Sequence, residues 1–336
     1  MSQKNWNAGI IRPVAVAPAG PYQDGAASGV WTLDQVSYWQ KQGLWPVAGK
    51  TVRGIFAGGE TTVATNIISY ITISSTGNAT DFGDLLLAQQ YVKGCASSTR
   101  GIFAAGEQDF NSIDYITIAS TSNAIDFGDL SVSRYSMAAF NSSTRGVFAG
   151  GYPGGSDMVN TIDYITISST GNATDFGDTQ QLLGFNVGCS SSTRGIYAGG
   201  IAAITFALSN SISYVTIAST GNGSDFGDLL TVLSSLSSAS NSTRGLFGGG
   251  SDDVNTIQYI TIATTGNATD FGDLTGGLTN LAACSSPTRV TFGGGSPRTN
   301  VIQYVTIAST GNATDFGDLT AATLQLGACS NGNGGL

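Results

Sequence analysis

The chain has no histidine among its 336 residues. That removes the usual general base, the serine triad and most transition-metal sites in one step. Charge is scarce: 10% of residues are Asp, Glu, Lys or Arg, and the net charge is −9. Lys and Arg number 13, and six of them are arginines at regular spacing. No basic stripe is left for a phosphate backbone, so no nucleic-acid partner is expected. No run of 18 apolar residues occurs, which predicts no transmembrane helix and no membrane insertion. Met1-Ser-Gln-Lys-Asn-Trp6 lacks the short apolar core of a signal peptide, so classical export is not expected.

There are 4 cysteines. Cys95, Cys189 and Cys284 each stand five residues before one of the regular arginines, and Cys329 holds the same register at the chain end. Equivalent positions in separate repeats are too far apart for a disulfide, and the spacing lacks the close pairs of a zinc site. They read as small buried residues.

What is present is a repeat. Its arginines are Arg53, Arg100, Arg145, Arg194, Arg244 and Arg289, a period of 45–50 residues. In the third copy, Ala138-Ala-Phe-Asn-Ser-Ser143 reads as a short strand a, and Ser143-Thr-Arg145 as a turn. Gly146-Val-Phe-Ala149 reads as strand b, ended by Gly150-Gly151. Ile162-Asp-Tyr-Ile-Thr-Ile-Ser168 alternates as strand c, Thr170-Gly-Asn172 turns, and Thr174-Asp-Phe-Gly-Asp178 forms strand d. A length of 336 residues would ordinarily suggest about two domains. The repeat overrides that prior, and its regular Val, Ile, Phe and Tyr positions argue against low-complexity disorder.

A period of this length fits one four-stranded propeller blade. The expected fold is all-β: a six-bladed β-propeller over residues 53–336, preceded by an arm over residues 1–52. Strand a, built from small residues such as Gly94-Cys-Ala-Ser97, is expected innermost. Phe56, Phe103, Phe148, Tyr197, Phe247 and Phe292 are expected between blades, as are Tyr70, Tyr115, Tyr164, Tyr214, Tyr259 and Tyr304. Blade one lacks a preceding strand a, and the chain ends in a strand a without a b. A C-terminal strand at about 325–331 is therefore expected to complete blade one and remove the free sheet edges.

The glycine run and the tyrosine-led strand after it resemble the kelch repeat. Gly58-Gly59, Gly150-Gly151, Gly199-Gly200, Gly249-Gly250 and Gly294-Gly295 stand at its diglycine, while the second copy departs with Ala105-Gly106. The later kelch tryptophan is absent, and Phe82, Phe127, Phe176, Phe226, Phe271 and Phe316 are candidates for its role. The resemblance implies a propeller and says little of function. The lack of histidine excludes the copper chemistry of kelch-like oxidases.

Each tyrosine-to-arginine interval is 30 residues, as from 70 to 100 and from 259 to 289. Variation in repeat length therefore lies in the b–c loops, and the d–a segments vary in sequence. In an up-and-down blade these two connections share one face, where a ligand or partner is expected. Its candidate residues are Glu60, Tyr91, Glu107, Asp109, Phe110, Tyr152, Asp157, Phe206, Asp252, Asp253 and Arg298. Neutral drift of surface loops is the alternative.

Asp-Phe-Gly matches a kinase metal string, yet it recurs six times with no catalytic-loop partner and is a repeat signature. Paired carboxylates could serve a glycosidase, but identical recurrence suggests a structural task. Asp81, Asp126, Asp175, Asp225, Asp270 and Asp315 are expected to pair with the repeat arginines or to bond turn backbone. Calcium on such oxygens is the alternative, and otherwise no cofactor and no enzymatic activity are expected. Asn-Ala-Thr at 78, 172, 267 and 312 fits a glycosylation sequon but reads as a turn.

Residues 1–52 hold all four tryptophans, Trp6, Trp31, Trp39 and Trp45. Ser28 to Pro46 reads as one short amphipathic helix and a Trp-Pro stop. Tryptophans in a short arm suggest docking, with packing against the protein's own surface as the alternative. The Gly29-Val-Trp-Thr-Leu-Asp-Gln35 stretch before Trp45-Pro46 resembles an arm of structural proteins from tailed bacteriophages. The Tyr-Ile-Thr-Ile-Ala-Ser-Thr-Gly-Asn-Ala-Thr-Asp-Phe-Gly-Asp pattern is also similar to repeats of phage virion proteins. This resemblance implies a virion component, commonly a tail fibre or appendage. It implies homo-oligomers in the particle, other virion proteins as partners of the arm, and a host-surface glycan or protein on the variable face. A capsid or tail decoration without receptor role, and a glycan-cleaving propeller, are the alternatives.

Overall fold

The computed structural model describes residues 32–41, 51–107, 111–155, 158–203 and 206–336. The chain divides into two units, Met1–Val52 and Arg53–Leu336. In the first, Leu33–Lys41 is an α-helix. Its start is a capping box: the Gln35 amide donates to Thr32 Oγ1 at 3.3 Å, and the Thr32 amide donates to Gln35 Oε1 at 3.0 Å. Trp39 lies on this helix, and Trp6, Trp31 and Trp45 lie outside the described residues. No described helix is long and apolar enough to cross a membrane.

The second unit is all-β. It holds six four-stranded antiparallel sheets, each in the order a-b-c-d, and one small three-stranded sheet. Sheet three shows the pattern: a is Ala138–Asn141, b is Arg145–Ala149, c is Thr161–Thr166 and d is Thr174–Asp178. Strand b is buried at every position after its arginine, so it reads as a continuous apolar run rather than an alternating one. Strand d buries only its phenylalanine fully. Burial therefore falls from b to d, as expected when b lies inside and d at the rim.

Sheet one takes its strand a from the chain end. Gly327–Ser330 pairs antiparallel with Arg53–Ala57, placing Cys329 opposite Ile55. In all six sheets the c–d ladder shifts register after its second residue, between Ile162 and Asp163 in sheet three. This is a β-bulge, and the glycine of Asp-Phe-Gly-Asp serves it. Gly83 has φ +148°, and a Cβ there would stand 2.5 Å from the Ser122 carbonyl of the next repeat.

Neighbouring sheets are joined by recurring bonds. The Asp129 amide donates to Asn172 Oδ1 and the Asp178 amide to Asn222 Oδ1, each from strand d to the next c–d turn. Asp318 in the last repeat donates to Asn78 in the first, at 3.1 Å. The a strands follow suit: Ser240 Oγ donates to the Ser190 carbonyl, Ser285 Oγ to that of Ser240, and Ser330 Oγ to that of Ser285. The core lies between sheets. One cluster joins Ile196, Ile212 and Phe226 of sheet four to Phe247, Ile260 and Ile262 of sheet five. Phe56, Phe103, Phe148, Tyr197, Phe247 and Phe292 are 0–2% exposed, each worth about 2–3 kcal/mol of burial.

The seventh sheet is not foreseen by the repeat. Leu183–Gly184, Ile201–Ala202 and Ala207–Leu208 pair within it. Strands of two residues carry no periodicity that a sequence pattern could reveal.

Candidate binding site

The repeat signature folds into a structural stack. Each repeat arginine places its guanidinium carbon over the tyrosine of its own repeat, 4.4 Å in Arg194–Tyr214 and 4.7 Å in Arg244–Tyr259. The same tyrosine meets the Asp-Phe-Gly phenylalanine edge to face, at 6.0 Å for Tyr164 and Phe176. Each arginine also donates to a carbonyl of the next repeat, as Arg100 Nη1 does to Ile167 at 3.0 Å.

The expected pairing of Arg53, Arg100, Arg145, Arg194, Arg244 and Arg289 with aspartate is not formed. The ion pairs among the described residues are Arg134–Asp163 and Arg298–Glu60. Asp81, Asp126, Asp175, Asp225, Asp270 and Asp315 are exposed second residues of the d strands. The arginines lie over the tyrosine rings, where a weakly hydrated planar cation gains both stacking and a carbonyl acceptor. No group of three or more Cys, Asp or Glu side chains arranged for a metal is found among the described residues.

The chemistry that varies gathers where strands a begin. Tyr91, Ser136, Phe185, Ser235, Asn280 and Gln325 occupy the same position in the six d–a segments. All six have positive φ, between 52° and 62°. Five backbone bonds thread them: Tyr91 to Gln325, Gln325 to Asn280, Asn280 to Ser235, Ser235 to Phe185 and Phe185 to Ser136, at 2.7–3.1 Å. Non-glycine residues in this region are strained, and such strain collects at ligand sites.

Four aromatics meet beside this girdle. Tyr91 lies 5.5 Å from Tyr135 and 5.9 Å from Phe185, and Tyr152 lies 5.5 Å from Tyr135 and 6.2 Å from Phe185. They come from sheets two to four. Tyr135 is buried; the other three are half-buried. Arg134, next to Tyr135 in the chain, is fully buried and bonded to Asp163 at 3.0 Å. Asp163 also accepts from the amide and hydroxyl of Ser131, so both of its oxygens are used. Breaking such a buried pair by removing one partner costs roughly 3–5 kcal/mol.

The cluster is electrically shaped by carboxylates. Burial raises the Tyr91 phenol, and the charges of Glu107 and Glu60 raise it further. Burial, then Glu107, pushes Tyr135 up to about 12. Both phenols therefore stay neutral donors. Glu107 accepts from Gln90 Nε2, and Glu60 pairs with Arg298 at 2.6 Å across sheets one and six. Ser136 Oγ is buried with no partner among the described residues.

Of the residues singled out from sequence, Tyr91, Tyr152, Glu60 and Glu107 belong to this region. Arg298 is engaged by Glu60. Phe206 is 68% exposed at the small sheet, and Asp252 and Asp253 sit in a 3-10 turn, Ser251–Asp253, on sheet five. These last three are not brought to the cluster. Asp109, Phe110 and Asp157 lie outside the described residues. Sequence reading missed Tyr135 and Phe185. Phe185 shares its repeat position with Tyr91, and that shared position was the available signal.

Next to the girdle is a recess lined by the beginnings of all six a strands, including Lys93, Met137, Val187, Leu236, Leu281 and Leu326. The far ends of the same strands line a second recess, which Asn333 of the chain end enters. There the side-chain amides of Asn333 and Asn141 pair at 3.2 Å. No protein-family model and no curated protein sequence matches this chain.

Proposed function

We propose that residues 53–336 form a six-bladed β-propeller and act as a non-enzymatic binding module of a bacteriophage virion protein, a tail fibre or appendage component. Closure is supported by bonds that run from the last repeat to the first by the same rule as between neighbours. Arg289 to Ile73, Asp318 to Asn78 and the Gly327–Ser330 strand are the three cases. The virion assignment is supported by the resemblance of the arm and the repeat to phage structural proteins. In this reading residues 1–52 dock to other virion proteins.

The observation that supports binding best is the aromatic cluster of Tyr91, Tyr135, Tyr152 and Phe185. It lies where the repeats differ most, over a scaffold that is otherwise uniform. The half-buried Tyr91 and Tyr152, with carboxylates of Glu60 and Glu107 nearby as acceptors, suit the apolar face and hydroxyl rim of a sugar ring. The partner is a host-surface glycan.

Purified protein is expected to bind the host's surface polysaccharide, and Tyr152→Ala with Phe185→Ala to weaken that binding about tenfold or more. Protein that binds no polysaccharide, yet occupies many symmetric sites on particles, would replace this reading with a decoration role. Removing residues 1–45 should leave the β unit folded and absent from particles. If the shortened protein still assembles, the arm is not the docking element.

A further inference from the structure

We infer that the recess lined by the six a strands takes the carboxylate of an acidic sugar, with Lys93 as its cation and the Tyr91–Phe185 pair as the stacking surface at its mouth. The inference rests on the glycan reading above and names the class of sugar.

The first observation is that Lys93 breaks its set. It is the first residue of its a strand, and its counterparts are Ala138, Val187, Ser237, Ala282 and Gly327. Four of these counterparts, Val187, Ser237, Ala282 and Gly327, line one recess with Lys93. The fold at this position therefore needs no charge, and one copy supplies one.

The second is that this charge is unanswered. Among the described residues Lys93 makes no ion pair, and the recess lining contains no other charged side chain. Of the nearby carboxylates, Glu60 is paired with Arg298, while Glu107 accepts from the neutral amide of Gln90 and keeps its charge beside Tyr91; neither forms an ion pair with Lys93. Lys93 is half-buried at this recess, and an ammonium partly stripped of water gains from a counter-charge. Burial alone pushes it down to about 8, with no carboxylate acting against that shift. At neutral pH it remains cationic, and a bound carboxylate would supply the missing counter-charge in a medium of low dielectric.

The third is the arrangement. Lys93 follows Tyr91 by two residues, and Phe185 meets Tyr91 edge to face at 5.9 Å. A uronic acid carries its carboxylate on the ring itself, so a ring stacked at the mouth directs that group inward. The recess itself holds about 50 Å³, room for a carboxylate but not for a sugar ring, so the ring stays outside it.

The test uses the full chain at pH 7 with the methyl glycosides of glucuronic, galacturonic and neuraminic acid, and with methyl glucoside and galactoside as neutral probes. Calorimetry should show at least one acid bound ten times more tightly than the neutral glycosides. Lys93→Ser, which copies Ser237 of sheet five, should remove that preference while keeping weak binding of both kinds. Phe185→Ala should weaken acid and neutral sugars alike. Thermal unfolding of Lys93→Ser at or above the wild-type midpoint checks that it folds. An acid preference that survives in Lys93→Ser, or no preference in the wild type, overturns the role of Lys93; host polysaccharide that still binds would then leave the glycan reading standing. Failure to bind both polysaccharide and glycosides would remove both.

Discussion

Arg289 Nη1 donates to the carbonyl oxygen of Ile73 at 3.2 Å, although 216 residues separate the two. Its guanidinium carbon lies 4.5 Å over Tyr304. Arg145 does the same within the array, with Ile217 as acceptor at 3.0 Å and Tyr164 beneath. Losing a charged donor to a carbonyl and a cation–π contact costs about 2–3 kcal/mol. Arg289→Leu and Arg145→Leu are therefore expected to lower stability in urea by similar amounts. If Arg289→Leu were neutral while Arg145→Leu was not, this contact between last and first repeats would contribute nothing, and closure would rest on Asp318–Asn78 and the Gly327–Ser330 strand alone.

A second prediction concerns packing between neighbouring a and b strands. Five repeats follow the arginine with glycine. At Gly54, Gly101, Gly146 and Gly245 an added Cβ would collide with the sulfur of Cys284, Cys329, Cys95 and Cys189, and at Gly195 with the ring of Phe140. The sixth repeat has Val290 instead. The residue in the cysteine position of the preceding a strand is Ala239, and the two share one buried cluster. Overpacking costs about 1–3 kcal/mol, so Ala239→Cys should destabilise by that much. Combined with Val290→Gly, which restores the common pairing, it should cost less than the sum of the single changes. Additive costs in a double-mutant cycle would show that the two side chains do not compensate.

The same pair shows what a single sequence can reveal. Strand order, the b–c and d–a variation and the C-terminal strand of sheet one follow from counting, because period and apolar pattern are local signals. Neighbour relations are not local. Ala239 and Val290 lie in different repeats, and only the folded array shows that one explains the other. The repeat arginines misled for a related reason. Charge arithmetic favours aspartate, but Asp81 and its counterparts stand exposed on strand d while Tyr70 lies beneath Arg53 at 4.6 Å. Tyr135, Phe185 and Lys93 sit in segments that read as variable or as small-residue strand. Their convergence depends on the order in which six sheets meet.

The girdle yields a third prediction. Ser235 and Asn280 occupy equivalent positions with φ 55° and 56°. The left-handed region costs most L-residues roughly 1–2 kcal/mol, and Asn less than most because its side chain bonds locally. Ser235→Gly should raise stability by about 0.5–1 kcal/mol, and Asn280→Gly by less. Thermal unfolding compares them directly. If neither glycine stabilises, the girdle is not strained at these positions, and strain gives no reason to place a ligand beside it.

Lys93 gives the fourth prediction, with a sign opposite to that of a paired lysine. Its folded value is lowered to about 8 from 10.5, so the folded state releases this proton first. Below pH 8 both states hold the proton, and the folded state bears the cost of holding a partly desolvated charge. Between about 8 and 10.5 the unfolded chain binds more protons, so this group's contribution to stability rises with pH. Lys93→Ser should therefore be more stable than wild type at pH 7, and the gap should close as pH approaches 10.5. The difference between the two proteins is the quantity to follow. Cys95, Cys189 and Cys284 are pushed up to about 12 by burial and destabilise both proteins equally in alkali. A gap that stays constant across this range would mean that Lys93 titrates alike folded and unfolded. Its ammonium would then be as well solvated in the recess as in water, and the recess would have no charge left unanswered.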